Sequence, residues 1–240
     1  MKEPAAKGRH IPRNLPRGRH GLSRELVQAS QRMRLLDAIA ELTAEKGYAA
    51  VTIADIVTRG GVAKRTFYEY FEDKEACFLA AGEHLADQIV RTITLPHDPG
   101  LDLYRRAEAT IRGLLQLLAE RPSYARAFVV EVWAAGPRAI NMRLEVDRQL
   151  ALLLVALSRD VSFHQSGARP VSELHAVAVI EAVGGILYRI VFSEGAGHLT
   201  RQVETLAQLA TGLLLAEMPQ PGRQSRRAAA QAPAAARSRR

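Results

Sequence analysis

The segment LDAIAELTAEKGY at residues 36–48 is the first of three that decide the fold. Its apolar residues recur every three or four positions, which predicts an amphipathic helix over about residues 30–46. Leu36, Ile39 and Leu42 lie on the buried face of that helix. Gly47 follows it directly, and glycine is the residue favoured just past the end of a helix. The segment therefore predicts one helix with a defined end.

The segments TIADI (52–56) and GVAKRTFYEYF (61–71) predict two shorter helices. Thr52 with Asp55 three residues later resembles a capping box, which starts a helix, and the Gly60–Gly61 pair stops it. A third helix is expected over about 63–71. Asp73 is expected to cap a fourth helix that begins at Lys74. The pattern is helix, turn, helix and then a long connecting helix.

The rest of the chain also has helical periodicity, and we expect an all-α fold of about nine helices. The fourth helix runs to a break at residues 95–100, where we place a hinge. Further helices are expected at about 102–120, 123–134, 137–159, 172–193 and 200–218. We divide the chain into a basic disordered arm (1–24), a helix-turn-helix domain (25–75), a connecting helix and hinge (76–99), a larger helical domain (100–219) and a basic disordered tail (220–240).

Charge is distributed unevenly along the 240 residues, whose net charge is +8. Residues 1–24 carry +6 and residues 221–240 carry another +6, which leaves −4 for the remainder. Basic flanks that are poor in apolar residues indicate disordered segments attracted to a polyanion. A solubilising tail is an equal alternative for the C-terminal flank. The arm adjoins the helix-turn-helix segment, which favours DNA as its target.

Several classes of protein and site are disfavoured by the composition. Cys77 is the only cysteine, so we expect neither a disulfide framework nor a thiolate metal site. The histidines lack metal-ligand spacing, and we find no catalytic constellation or phosphate-binding loop. We expect a protein that is not an enzyme, has no cofactor or bound metal, and is cytoplasmic and nucleoid-associated. No apolar run approaches the length of a membrane span, so no membrane partner is expected.

Residues 63–71 have the properties of a helix that reads DNA. Val62, Phe67 and Phe71 can anchor one face in a core, while polar and basic residues can point outward to phosphates and bases. Residues 25–91 are nevertheless net acidic by −3, so the positive surface must be local to this helix. Arginines of the arm, such as Arg13 and Arg17, are expected to add sequence-independent attraction and could enter an adjacent minor groove.

The ordered set of residues 36–48, 52–56, 61–71 and 73–76 resembles the N-terminal domain of the TetR/AcrR family of transcriptional regulators. The resemblance implies that a three-helix head binds double-stranded DNA. It also implies that the helices behind the head enclose a ligand cavity and pair two chains. The DNA-contacting positions that it implies are Thr52, Lys64, Arg65, Thr66, Tyr68, Tyr70 and Lys74.

Three of these positions carry alternatives or departures from the family, and the neighbouring Ala63 is a further departure. Arg65 stands where many relatives have a small residue, and it could contact a guanine or only a phosphate. Tyr68 and Tyr70 could instead pack against the first or fourth helix. Ala63 replaces the serine that often caps the reading helix, which costs about 1 kcal/mol of local stability.

The resemblance implies a function for the whole protein: a ligand-responsive repressor that binds a palindromic operator as a homodimer and is released by a small, apolar effector. The expected cavity residues are Tyr104, Tyr124, Phe128, Trp133, Met142, His175, Tyr188 and Phe192. The expected dimer-interface residues are Glu181, Gly184, Gly185, Leu206 and Leu213. For each aromatic residue the alternative is plain core packing, and for His175 and Glu181 it is a satisfied polar pair. The alternative for the whole protein is a helical hydrophobe-binding protein with a vestigial DNA-binding head.

Overall fold

The computed structural model describes residues 24–94, 101–159 and 169–216. These residues form nine α-helices and contain no β-strand, which confirms the all-α prediction. The helices are α1 Arg24–Lys46, α2 Ile53–Gly60, α3 Lys64–Tyr70, α4 Lys74–Thr94, α5 Leu103–Glu120, α6 Pro122–Ala125, α7 Pro137–Leu157, α8 Glu173–Ser193 and α9 Val203–Leu215. The predicted hinge at residues 95–100, most of the arm and the tail from residue 217 lie outside the described residues.

The signals that start and stop the head helices act as the sequence predicts. Thr52 accepts a hydrogen bond from the Asp55 amide at 3.2 Å, and the Asp55 carboxylate accepts one from the Thr52 amide at 2.8 Å, so the capping box is complete. Gly61 ends α2 in the left-handed conformation, at φ 60°. Asp73 Oδ1 accepts from the Ala76 amide at 2.7 Å and caps α4. Ala63 provides no side-chain cap for α3, as expected.

Three predicted boundaries need correction. Helix α1 begins at Arg24 rather than at residue 30, because Ser30 is buried within the helix and does not cap it. The helix expected over 123–134 is α-helical only as α6, and it continues as a π turn (Arg126–Val130) and a 3₁₀ turn (Glu131–Ala134). The helix expected from residue 200 starts as a 3₁₀ turn, Ala196–Gln202, and becomes α9 at Val203.

One continuous core joins the head to the helices behind it. Phe67 of α3, Phe78 of α4 and Leu118 of α5 belong to the same cluster of buried apolar side chains. Phe78 is fully buried and stacks on Phe128 of the π turn, with ring centroids 4.7 Å apart. The head is therefore packed onto the larger domain through α4 and does not form a separate core.

Helix α8 has the length and apolar composition of a membrane-spanning helix, the only one of the described helices that does. The sequence expectation concerned uninterrupted apolar runs, and Glu181 and Arg189 interrupt the apolar residues of α8. The core helix of a soluble protein can have the same composition, and Val183, Leu187 and Val191 of α8 are buried in the main core.

Removal of the side-chain cap of α2 should lower the free energy of unfolding. We expect Thr52→Ala to reduce the free energy of unfolding by about 1 kcal/mol, because the Asp55 amide loses its acceptor. Thr52→Ser keeps the hydroxyl and should change stability by much less. Urea unfolding followed by circular dichroism measures both variants. Equal stability of the alanine and serine variants would show that the capping box does not contribute.

Candidate nucleic-acid interface and ligand cavity

Helix α3 presents a polar face to solvent while its apolar face is held in the core. Phe67 is fully buried, whereas Lys64 and Arg65 are exposed and Tyr68 is 51% exposed. Thr66 is partly buried between these two faces. The exposed side chains of one short helix thus provide the reach to phosphates and base edges that a reading helix needs.

Two of the predicted DNA contacts are tied to the protein itself. The ammonium of Lys74 donates to the carbonyl oxygens of Tyr48 at 3.0 Å and Val51 at 2.9 Å, and it lies 4.3 Å from the centre of the Tyr48 ring. Burial lowers the pKa of Lys74. Lys74 therefore holds the 3₁₀ turn Tyr48–Ala50 against the start of α4, a role the sequence did not reveal.

Tyr70 also packs against the first helix, which was the alternative left open by the sequence. Its hydroxyl lies 3.2 Å from both the Gln28 carbonyl oxygen and the Gln31 Oε1. Burial raises the pKa of Tyr70. The contact places the start of α1 beside the end of α3.

Two other cations of the head are neutralised within it. Arg59 pairs with Glu45 at 2.8 Å and with Glu41 at 3.3 Å, and these bonds raise its pKa. Lys46 pairs with Asp55 at 2.8 Å, and the pKa of Asp55 falls because Lys46 and Thr52 both hydrogen-bond to its carboxylate. Arg65 makes only a long, exposed contact of 3.5 Å with Glu69. Lys64 and Arg65 therefore remain exposed positive charges on α3.

A cavity of about 250 Å³ lies behind the head among five helices: α4, α5, α7, α8 and α9. All but four of its lining residues are apolar or glycine, and the four are Arg106, Thr110, Arg143 and Asp147. Ligand sites are commonly apolar with a few polar groups, over about 300–1,000 Å³. This cavity suits a slender or compact apolar ligand.

Two of the eight predicted cavity residues, Phe128 and Met142, line this cavity. Tyr124 is buried elsewhere and donates to Asp37 of α1 at 3.1 Å. His175 is bonded through its ring to the Leu213 carbonyl oxygen at 2.6 Å, which is a satisfied polar contact. The remaining four residues are not part of the cavity wall, because they lie on or near the surface: Tyr104, Trp133, Tyr188 and Phe192.

The predicted dimer residues fall in three environments. Leu206 is fully buried in the chain's own core and is unavailable to a partner, which corrects that expectation. Gly184 lines the cavity, where a Cβ atom would come within 3.2 Å of Arg143 Nη2. Glu181 and Gly185 are exposed on α8, and Leu213 is partly buried on α9.

The described residues contain no group of three or more histidine, cysteine or acidic side chains placed to hold a metal ion. Cys77 is buried, and burial raises the pKa of its thiol to about 12. Its sulfur contacts the Leu35 carbonyl oxygen at 3.8 Å. Cys77 is a core residue of α4.

Residues 35–81 match the family model for bacterial regulatory proteins of the tetR family. Curated relatives include the uncharacterized HTH-type transcriptional regulators YxbF and YvdT of Bacillus subtilis, 26% and 42% identical over 103 and 60 residues. These matches span 42% and 23% of this chain but only 26% and 31% of the relatives' lengths. The HTH-type transcriptional activator FasR of Mycolicibacterium smegmatis is 22% identical over 65% of this chain and 72% of its own length.

Solved structures extend the likeness in fold to the second domain. The fatty acid degradation regulator FadR of Bacillus halodurans has a TM-score of 0.63 at 19% identity, over 76% of this chain and 95% of that one. FadR of Bacillus subtilis, solved in complex with stearoyl-CoA, has a TM-score of 0.63 at 19% identity, over 75% and 97% of the two chains. The described residues therefore share the fold of these solved structures. Residues 35–81 are thus similar to the N-terminal domain of tetR-family bacterial regulatory proteins.

Two lysines of the head should differ in how much the same substitution lowers stability. We expect Lys74→Met to lower the free energy of unfolding by about 1–3 kcal/mol, because two carbonyl acceptors lose a charged donor. Lys64→Met, at an exposed position, should change stability by less than about 0.5 kcal/mol. Urea unfolding measures both variants. An equal effect of the two substitutions would contradict the structural role of Lys74.

Proposed function

We propose that the protein is a ligand-responsive transcriptional repressor that binds a palindromic DNA operator as a homodimer and releases it when a small, apolar effector fills the cavity. The observation that carries this proposal is a tetR-type head whose reading helix exposes Lys64, Arg65 and Tyr68, attached through α4 to an apolar cavity. In this proposal the protein acts in the cytoplasm on the nucleoid, and no cofactor takes part.

The exposed side chains of α3 and the α2 cap are the proposed DNA contacts. Lys64, Arg65, Thr66 and Tyr68 would enter the major groove or bind the phosphates beside it, and Thr52 would reach the backbone. Tyr70 and Lys74 would support this surface through their contacts to α1 and to the 3₁₀ turn.

The reading helix is tested with alanine substitutions at Lys64, Thr66 and Tyr68. In a gel-shift assay with DNA flanking the protein's own gene, we expect the triple variant to lose specific binding, because its base and phosphate contacts are removed. Glu83→Ala, at an exposed position on α4, is the matched control and should bind like the wild type. If the triple variant still bound the operator specifically, α3 would not be the reading helix.

The basic arm is the proposed second contact with DNA. The Tyr70–Gln28 contact places the start of α1 beside the end of the reading helix, so the preceding residues join the chain at the edge of the proposed DNA surface. The sequence of residues 1–23 carries +5. Arginines next to a reading helix can enter a narrow minor groove.

Deletion of residues 1–22 should weaken operator binding and flatten its salt dependence. The slope of log affinity against log salt concentration should fall by about 0.9 for each phosphate that the arm neutralises in the intact protein. Fluorescence anisotropy at several salt concentrations measures it. An unchanged slope would exclude the arm from the complex.

The proposed dimer uses an exposed stripe along α8. Leu174, Ala178, Gly185, Tyr188 and Phe192 are all exposed, and with Glu181 they repeat at alternating intervals of four and three residues. Leu174 is 75% exposed and Phe192 is 56% exposed. An apolar stripe with this spacing is a seam for helix pairing. Gly212 and Leu215 of α9 are exposed as well and would widen the seam into a four-helix interface.

Charges placed in this stripe should separate the dimer. We expect Leu174→Glu combined with Phe192→Glu to give a monomer by analytical ultracentrifugation, because a carboxylate cannot be buried unpaired at the interface. Leu144→Glu on α7, where the leucine is 48% exposed and lies outside the stripe, is the control and should remain dimeric. A double variant that stays dimeric would place the interface elsewhere.

The effector is proposed to be apolar because of the cavity wall, and the stearoyl-CoA bound by the B. subtilis neighbour supports a ligand with an alkyl chain. The cavity is lined by Gly82, Leu85 and Ile89 of α4, so a ligand there would contact the helix that connects the cavity to the head. The dimer can adopt a state in which its reading helices do not fit the DNA grooves. An effector that binds this state more tightly than the DNA-bound state would release DNA. The likeness to the activator FasR makes activation the second candidate outcome, and a transcriptional reporter separates the two.

A further inference from the structure

The cavity contains one charged pair within its apolar wall. Arg143 and Asp147 are one helical turn apart on α7, and both line the cavity. Asp147 is 6% exposed. Burying an ion pair in apolar surroundings carries a desolvation cost, and replacing such a pair with apolar residues is often neutral or stabilising. Stability alone therefore gives no reason for this pair to lie in the wall of the cavity.

The guanidinium is held in one orientation by three neighbours. Arg143 Nε donates to Asp147 Oδ2 at 2.7 Å, and Nη1 donates to the Phe128 carbonyl oxygen at 3.3 Å. Gly184 of α8 leaves room for Nη2, since a Cβ atom there would lie 3.2 Å from it. A guanidinium has five N–H donors, and these two bonds use two of them. Donors remain at the cavity wall for a ligand.

We propose, on the basis of the proposed function, that the effector is a slender hydrophobe bearing a neutral carbonyl group, such as a ketone or an ester, whose oxygen accepts a hydrogen bond from Arg143. Hydrogen bonds to charged groups are stronger than neutral ones, and a donor left unbonded in an apolar site is costly. The alkyl part of the ligand fills the space among the leucines and valines of α5, α7 and α8.

The neutrality of the group follows from Asp147. Its carboxylate already compensates the charge of Arg143, so a ligand carboxylate at the same place would put two anions together in a low-dielectric cavity. A neutral carbonyl takes the hydrogen bond without adding charge. Arg106 is the other guanidinium in the wall, and its Nε donates to the Leu101 carbonyl oxygen at 2.8 Å. An anionic ligand held by Arg106 would reverse the expected order of affinity.

The test compares three probes of equal carbon number on the full chain: a medium-chain alkane, the corresponding methyl ketone and the corresponding carboxylate. Isothermal titration calorimetry should show the ketone binding about ten times more tightly than the alkane, and the carboxylate more weakly than the ketone. Equal affinity for ketone and alkane, tighter binding of the carboxylate, or no binding of any probe would each overturn the proposal. Operator binding is measured separately, so a negative result with the three probes is distinguishable from a failure of α3 to bind DNA.

The role of Arg143 is tested by removing the pair together. The double variant Arg143→Met with Asp147→Leu avoids an orphaned buried charge, and alkane binding serves as the readout that the cavity is intact. We expect this variant to bind alkane and to lose the preference for ketone. Thr110→Val, at another polar position in the wall, is the control and should keep that preference. A ketone preference that persists in the double variant, or that Thr110→Val abolishes, would contradict the assignment.

Discussion

Helix α4 is packed into the head at one end and into the cavity wall at the other, and the rest of the structure depends on this double engagement. Phe78 is fully buried in the common core and stacks on Phe128, which itself lines the cavity. One turn further, Gly82 has no room for a Cβ atom, which would lie 2.6 Å from the end of Met142 and 3.0 Å from Phe128. A ligand that displaces Phe128 or Met142 therefore acts directly on the helix that positions the reader.

The irregular turn after α6 adds a second path between cavity and head. Phe128 belongs to the π turn, and its carbonyl oxygen accepts from Arg143 in the cavity wall. Four residues earlier, Tyr124 donates to Asp37 of α1. The two contacts lie at opposite ends of the same short segment. The polar group that would recognise the ligand is thus connected to the first helix of the head through a few bonded residues.

The head was predictable from the sequence because its signals are local. Caps at Thr52 and Asp73 and the stop at Gly61 depend on residues within a few positions of one another, and they appear in the structure as expected. The roles of Lys74 and Tyr70 were not predictable, because their partners Tyr48 and Gln28 are 26 and 42 residues away. Cavity and core use the same apolar residue types, so large aromatics such as Trp133 were a poor guide to the cavity. The Arg143–Asp147 pair had a readable signal, opposite charges four residues apart on an apolar helix.

In the mechanism that we propose, filling the cavity and binding DNA are coupled through α4. The most direct measurement is a pair of titrations with the full chain: operator affinity with and without saturating methyl ketone, and ketone affinity with and without operator. Linkage requires the same factor in both directions, and we expect each ligand to weaken the binding of the other by at least about fivefold. Ketone that binds in the cavity and leaves operator affinity unchanged would contradict coupling through α4.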